Sequence, residues 1–173
     1  IVLNFVLVIR LWSAANYFGT GFKDVINEFK DSIKYPVIKI FNEYEVLKTG
    51  MKHGTVTVMT ETSGFEITTF RIDGNYSDNR RPDSVQFTSN LKDDLSRRDF
   101  TINAMAYNDR VGIVDEFDGI GDLKRKVIKC VGNPEDRFNE DALRILRAVR
   151  FSAVLDFDIE ENTKKAIIKL IQV

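Results

Sequence analysis

The sequence of 173 residues predicts an α+β fold, a small mixed sheet with helices that passes into an all-helical segment. Three observations carry this expectation. β-Branched residues alternate with other types through Gly54-Thr-Val-Thr-Val-Met-Thr and Gly64-Phe-Glu-Ile-Thr-Thr-Phe-Arg-Ile, the period-two pattern of a hairpin that turns at Glu61-Thr62-Ser63. Residues 111–117 and 127–131 read as two further short strands. From Pro134 onward the apolar spacing is helical throughout.

The elements follow in order. Residues 24–35 place Val25, Ile26, Phe29 and Ile33 on one helical face, and that helix is expected to end before Pro36. Residues 73–83, with Gly74, Asn75, Asn79 and Pro82, read as a polar loop. Residues 93–108 return to helix, and Gly119 and Gly121 mark a turn between the two short strands. Leu155-Asp156-Phe157-Asp158 breaks the long helix; residues 160–173 begin another, with Ala166, Ile167, Leu170 and Ile171 on one side. The chain stops inside that pattern, as a fragment would. Neither internal repeats nor low-complexity segments are present.

A formal net charge of -1 gives no global attraction to nucleic acid, so RNA affinity has to come from local patches such as residues 137–150. Cys130 is the only cysteine, which excludes an internal disulfide or a cysteine-rich zinc site and fits a reducing compartment, the cytoplasm. Residues 1–9 are apolar but lack a basic n-region, and Arg10 interrupts the run, so no membrane span is expected.

Two segments carry the chemistry. In Asn139-Glu-Asp-Ala-Leu-Arg-Ile-Leu-Arg-Ala-Val-Arg-Phe151, Asp141, Arg144, Arg147 and Arg150 recur at intervals of three. On one helix this forms a slanting row and leaves Leu143, Leu146 and Val149 to face a core. A solvated face with an ordinary Glu140–Arg144 pair has the same pattern. In Asp94-Leu-Ser-Arg-Arg-Asp-Phe-Thr-Ile-Asn-Ala-Met-Ala-Tyr107, paired arginines stand beside an acid at the mouth of an apolar run. Guanidinium forks match phosphate oxygens and keep their charge, so the pair suits a triphosphate; a capped helix with a charged first turn is the plainer alternative.

Together the RRDFTINA and EDALRILRAVRF segments resemble the class II nucleotidyltransferases, the family of tRNA CCA-adding enzymes and bacterial poly(A) polymerases. Lys52-His53-Gly54-Thr55-Val56-Thr57-Val58, Phe65-Glu66-Ile67-Thr68-Thr69-Phe70-Arg71, Asp118-Gly119 with Asp122-Leu123, and Val131-Gly132-Asn133-Pro134 to Arg137-Phe138 follow the same family in the same order. The resemblance runs from residue 24 to the end. It implies a polymerase-beta-like head at residues 1–131 and the start of a helical, nucleotide-selecting neck at residues 132–173. It further implies addition of CCA to tRNA 3′ ends from CTP and ATP with Mg2+. Poly(A), CC-only or A-only addition, and an inactive nucleotide- or RNA-binding fragment, stay open as alternatives.

The resemblance also assigns roles. Glu66 matches the third of the family's catalytic, metal-holding carboxylates, while Arg98, Asp141, Arg144, Arg147 and Arg150 match nucleotide-binding positions. For Arg147 a bracing role toward Asp141 or Glu140 is the alternative. Cytosine and adenine both present an exocyclic amine beside a ring-nitrogen acceptor, so an Asp141 acceptor with an Arg144 donor would select them and repel uracil and guanine. The family's other two carboxylates, an Asp-x-Asp after Gly-Gly-x-Val-Arg-Asp, are absent from residues 1–23. A shift of reading frame accounts for that aberrant segment; a divergent strand is the alternative. His53 reads as structural, Trp12, Tyr17 and Phe18 as packing residues, Gly19-Thr20-Gly21 as too short for a phosphate loop, and residues 118–122 as only superficially calcium-like.

Overall fold

The computed structural model describes residues 34–51, 54–61, 63–108 and 111–171. Across them helices and strands intermingle in the α+β order the sequence predicts. Two compact units share the chain, Ile1–Phe70 with Ala106–Val114, and Arg71–Met105 with Asp115–Val173.

In the first unit, helix α1 (Lys34–Ile40) precedes strands β1 (Glu45–Leu47), β2 (Thr55–Met59) and β3 (Gly64–Thr68), which form an antiparallel sheet in that order. The hairpin appears as expected: Val56 pairs with Ile67 and Thr57 with Glu66, and Thr60 N–H closes the turn on the Ser63 carbonyl at 2.8 Å. Alternation sends Val56, Val58 and Ile67 into a small core with Val37. Contrary to the sequence reading, Pro36 does not end the helix there, because α1 includes it and runs on to Ile40. Residues 24–33 of the expected helix lie outside the described residues.

The second unit opens with β4 (Arg71–Asp73) and β5 (Val85–Phe87), an antiparallel pair at the two ends of the polar loop. Helix α2 (Leu91–Ser96) follows, capped by Asn90, whose side chain accepts the Lys92 N–H at 3.0 Å. The helix expected over residues 93–108 is not continuous. It stops at Ser96, gives a short 3-10 turn at Thr101–Asn103, and leads into strand β6 (Met105–Asn108), which pairs with β7 (Gly112–Asp115), the stretch Ala106–Val114 belonging to the first unit. The backbone around Phe100 pairs with residues 129–131 instead: Phe100 is extended and bridged to Cys130, the Thr101 N–H donates to the Lys129 carbonyl at 2.9 Å, and the Asp99 carbonyl accepts the Val131 N–H at 3.0 Å.

Gly119 and Gly121 also depart from expectation: they open helix α3 (Gly119–Arg125) instead of forming a turn between strands. The Asp115 carboxylate accepts the N–H groups of Gly119 and Ile120, each at 2.8 Å, and so satisfies the first turn. A Cβ at Gly119 would lie 2.3 Å from the Thr101 carbonyl oxygen, so only glycine fits. Strand β8 (Val127–Ile128) is shorter than the run over residues 127–131. Helices α4 (Pro134–Glu140), α5 (Leu143–Leu155) and α6 (Glu161–Ile171) form the helical segment. Its break at Asp156 also carries a strand absent from the sequence reading, β9 (Asp158–Ile159), parallel to β8.

The larger core joins Phe100, Ile102, Ile128, Cys130, Phe138, Ala148, Ala166 and Ile167. Burial pushes the Cys130 thiol up to about 12, so it stays protonated and inert. No helix among the described residues is long and apolar enough to cross a membrane.

Candidate nucleotide-binding site

Buried Asp94, near the end of α2, organises the paired arginines. Its carboxylate accepts the Arg71 N–H at 3.2 Å, Arg97 Nη2 at 2.7 Å and Nε at 3.1 Å, and Arg98 Nη2 at 3.1 Å. Helical spacing of three and four residues brings both guanidinium groups to one acid. Arg98 Nε is buried and has no acceptor among the described residues. A buried donor without a partner favours binding of an acceptor.

Asp99 joins this segment to α5. It accepts Arg147 Nε at 2.6 Å, the Phe100 N–H at 2.8 Å and Asn103 Nδ2 at 3.2 Å. The Arg147 guanidinium also lies 5.2 Å from the centroid of the Phe151 ring. The bracing partner of Arg147 is thus Asp99, which the sequence reading did not consider beside Asp141 and Glu140. Arg150 is exposed and has no partner among the described residues.

The row from Asp141 to Arg150 is not on a single helix. α4 ends at Glu140, Asp141 is extended (φ -144, ψ 100), and α5 starts at Leu143. One Asp141 oxygen accepts the Leu143 N–H at 3.0 Å. This break resets the helical phase and overturns the expectation that Leu143, Leu146 and Val149 face a core: they are 44%, 66% and 52% exposed. Arg144, 8% exposed, and Ala148 turn inward in their place.

A buried guanidinium is tolerable only when its charge and donors are met. Arg144 Nη1 donates to Glu140 Oε2 at 2.8 Å and to the Arg137 carbonyl at 3.1 Å, and Nη2 donates to the Arg97 carbonyl at 3.1 Å. An arginine has five N–H donors, so its Nε–H and one Nη2–H remain for a further acceptor. Glu140 is held at its other oxygen by Arg137 Nη2, and Arg137 Nη1 reaches the Ser96 carbonyl at 3.3 Å.

Beside this brace lies a cleft of about 290 Å³ lined by Asp73, Tyr76, Arg97, Val131, Arg137, Glu140 and neighbouring residues. Tyr76 donates to Asp73 Oδ2 at 3.0 Å, and burial together with the Asp73 charge pushes its phenol up to about 12. Arg98, Asp141, Arg144, Arg147 and Arg150 do not line it. Sequence reasoning singled out neither Asp73 nor Tyr76, and gave Arg137 no role of its own; the contacts that tie them to α2, Arg97 to Asp73 and Arg137 to the Ser96 carbonyl, join residues far apart in the chain.

Glu66 belongs to the first unit. It is exposed on β3 and faces away from Ile67 and the valine core, as alternation requires. Among the described residues no three His, Cys, Asp or Glu side chains are grouped to hold a metal ion. Asp118 and Asp122, in the calcium-like stretch, both receive Arg125 Nη2, at 2.7 and 2.6 Å, so a guanidinium meets their charge. The suspect segment 1–23 with Trp12, Tyr17 and Phe18, and His53, lie outside the described residues.

This is the architecture of a polymerase-beta-like nucleotidyltransferase head. Residues 30–129 match the family model described as the Poly A polymerase head domain, and the chain belongs to that family. A CCA-adding enzyme of Lactobacillus delbrueckii subsp. bulgaricus is 61% identical over 122 residues, covering 70% of this chain and 31% of that protein. A crystal structure of the Bacillus stearothermophilus CCA-adding enzyme in complex with CTP is 42% identical, with TM-score 0.65, over 72% of this chain and 29% of the other. The Thermotoga maritima CCA-adding enzyme complexed with tRNA_CCA is 32% identical, with TM-score 0.58, over 75% of this chain and 28% of the other. The chain therefore spans about a third or less of the length of these relatives.

Proposed function

We propose that this chain is the nucleotide-selecting part of an RNA nucleotidyltransferase that adds CCA to tRNA 3′ ends, taking CTP and ATP. The observation that carries the reading is Arg144, a buried guanidinium held by Glu140 and two carbonyls with two N–H donors to spare, three residues on from Asp141, whose carbonyl accepts the Arg144 N–H at 3.0 Å. Asp141 has one oxygen on the Leu143 N–H and the other for an exocyclic amine. The amine and ring nitrogen of cytosine or adenine complement that pair, whereas uracil and guanine offer a carbonyl and a ring N–H to the wrong partners. Arg98, with its unmatched Nε–H, suits phosphate oxygens common to every nucleotide. Arg147 and Arg150 extend the cationic row along α5, and a helical neck beginning near residue 132 remains part of this reading.

The donor set among the described residues does not fit a divalent-ion site. Glu66 is the one carboxylate the family pattern assigns to it, and residues 1–23 contain neither Asp nor Glu. A pair of ions bound to a triphosphate needs several oxygen ligands, so no step is routed through Mg2+ here. A second reading for this exact chain, selective nucleotide binding without transfer, rests on that missing carboxylate set alone. Incubation with labelled CTP or ATP, magnesium and a tRNA lacking its terminus is expected to give no incorporation. Equilibrium binding of the four nucleoside triphosphates is expected to favour CTP and ATP over UTP and GTP; equal affinities would refute the selection.

A further inference from the structure

We propose that Arg137 is a positioning residue for base selection, acting on Arg144 through Glu140. The proposal rests on the reading of Arg144 as a base reader. Glu140 has two carboxylate oxygens and a different arginine holds each, Arg137 at Oε1 and Arg144 at Oε2. A glutamate at a helix end has three rotatable bonds, and a single ion pair leaves its carboxylate free to swing. Two guanidinium groups on opposite oxygens fix its plane, and a planar acceptor then orients the planar Arg144 fork.

Arg137 is itself fixed from outside α4. Its Nη1 donates to the Ser96 carbonyl at 3.3 Å, next to the Arg97 carbonyl that receives Arg144 at 3.1 Å. The end of α2 therefore holds both arginines through consecutive carbonyls, with Glu140 between them. Arg137 also offers its own carbonyl to Arg144 Nη1 at 3.1 Å, a contact that survives any change of its side chain. Replacing the side chain thus loosens the angle of Arg144 without removing it. Hydrogen bonds weaken steeply with angle, so a loosened fork loses contrast between right and wrong bases more than it loses phosphate binding.

The test measures dissociation constants of CTP, ATP, UTP and GTP for the full chain, unaltered and as Arg137→Met and Arg137→Lys, with urea unfolding of each. In Arg137→Met the UTP-to-CTP ratio of dissociation constants should fall about tenfold, the size of a lost charge-assisted coupling. Lysine keeps the charge but not the two-armed fork, so Arg137→Lys should fall about threefold, between the other two. Equal weakening for all four nucleotides, or an unchanged ratio in folded variants, overturns the proposal. So does failure of both variants to fold, which would make Arg137 a residue of the fold alone. No discrimination by the unaltered chain would overturn the reading of Arg144 itself; discrimination that survives both substitutions would overturn only the role of Arg137.

Discussion

The dipeptide Arg-Arg occurs twice in the second unit, at Arg80-Arg81 and at Arg97-Arg98, each shortly after an aspartate, and the two copies have opposite fates. Asp94 is buried in α2 and binds the side chains of Arg97 and Arg98. Asp78 is exposed in the loop and binds the main-chain N–H groups of Arg80 and Arg81, at 2.9 and 2.7 Å. The guanidinium groups of Arg80 and Arg81 make no hydrogen bond or ion pair among the described residues, Arg81 acting on Asp78 only through its charge, and both residues are exposed. Helical geometry carries an acid to side chains three and four residues on, whereas a turn presents backbone donors to it. The same residue pair is thus built into a site in one place and left to solvent in the other, and the backbone around the acid decides which.

The largest effect should follow from Asp94→Ala. It leaves two guanidinium groups beside a buried void, and breaking a buried ion pair costs about 3–5 kcal/mol. Urea unfolding monitored with the inert Cys130 thiol as a labelling probe would check it; loss of stability no greater than for a surface change would remove Asp94 as the organiser. Next comes Arg98→Ala, which should weaken binding of all four nucleotides alike, on the order of tenfold, because a charge-assisted bond to phosphate is lost. Loss confined to CTP and ATP would reassign Arg98 to base reading.

The loop acid gives a subtler contrast. The N–H groups of Arg81 and Arg80 hold the Asp78 carboxyl below its ordinary value of 3.8. Its contribution to loop order is therefore complete above that value and is lost as pH falls through the lower folded one. Amide resonances of Arg80 and Arg81, followed by NMR through an acid titration, should report a midpoint below 3.8; a midpoint above it would mean the turn is not formed. The smallest effect belongs to Arg80→Ala with Arg81→Ala, which should leave the unfolding midpoint unchanged, since their exposed side chains make no hydrogen bond or ion pair among the described residues.

Legibility in the sequence followed the range of the interactions. The hairpin of β2 and β3 was readable because its period, turn and register are all local. The paired arginines and the α5 row were readable as residue types in a pattern. The face of α5 was not: Leu143, Leu146 and Val149 form an apolar stripe on paper, yet a break at Asp141 and the long-range acceptors of Arg144, Arg97 above all, turn that stripe outward. Likewise the helix expected through residue 108 ends at Ser96, and the chain goes on to an extended Phe100 whose partner Cys130 lies thirty residues on. Tertiary demand overrode local propensity at both points.

The proposed reading of the base by Asp141 and Arg144 stands or falls on the binding of CTP, ATP, UTP and GTP to the chain carrying Asp141→Ala. A hydrogen bond to a charged group is worth roughly 1.5–3 kcal/mol, so preference for CTP and ATP should fall by about tenfold to a hundredfold while overall affinity falls less. Equal losses across the four nucleotides would contradict the account and make this segment a structural junction between two helices.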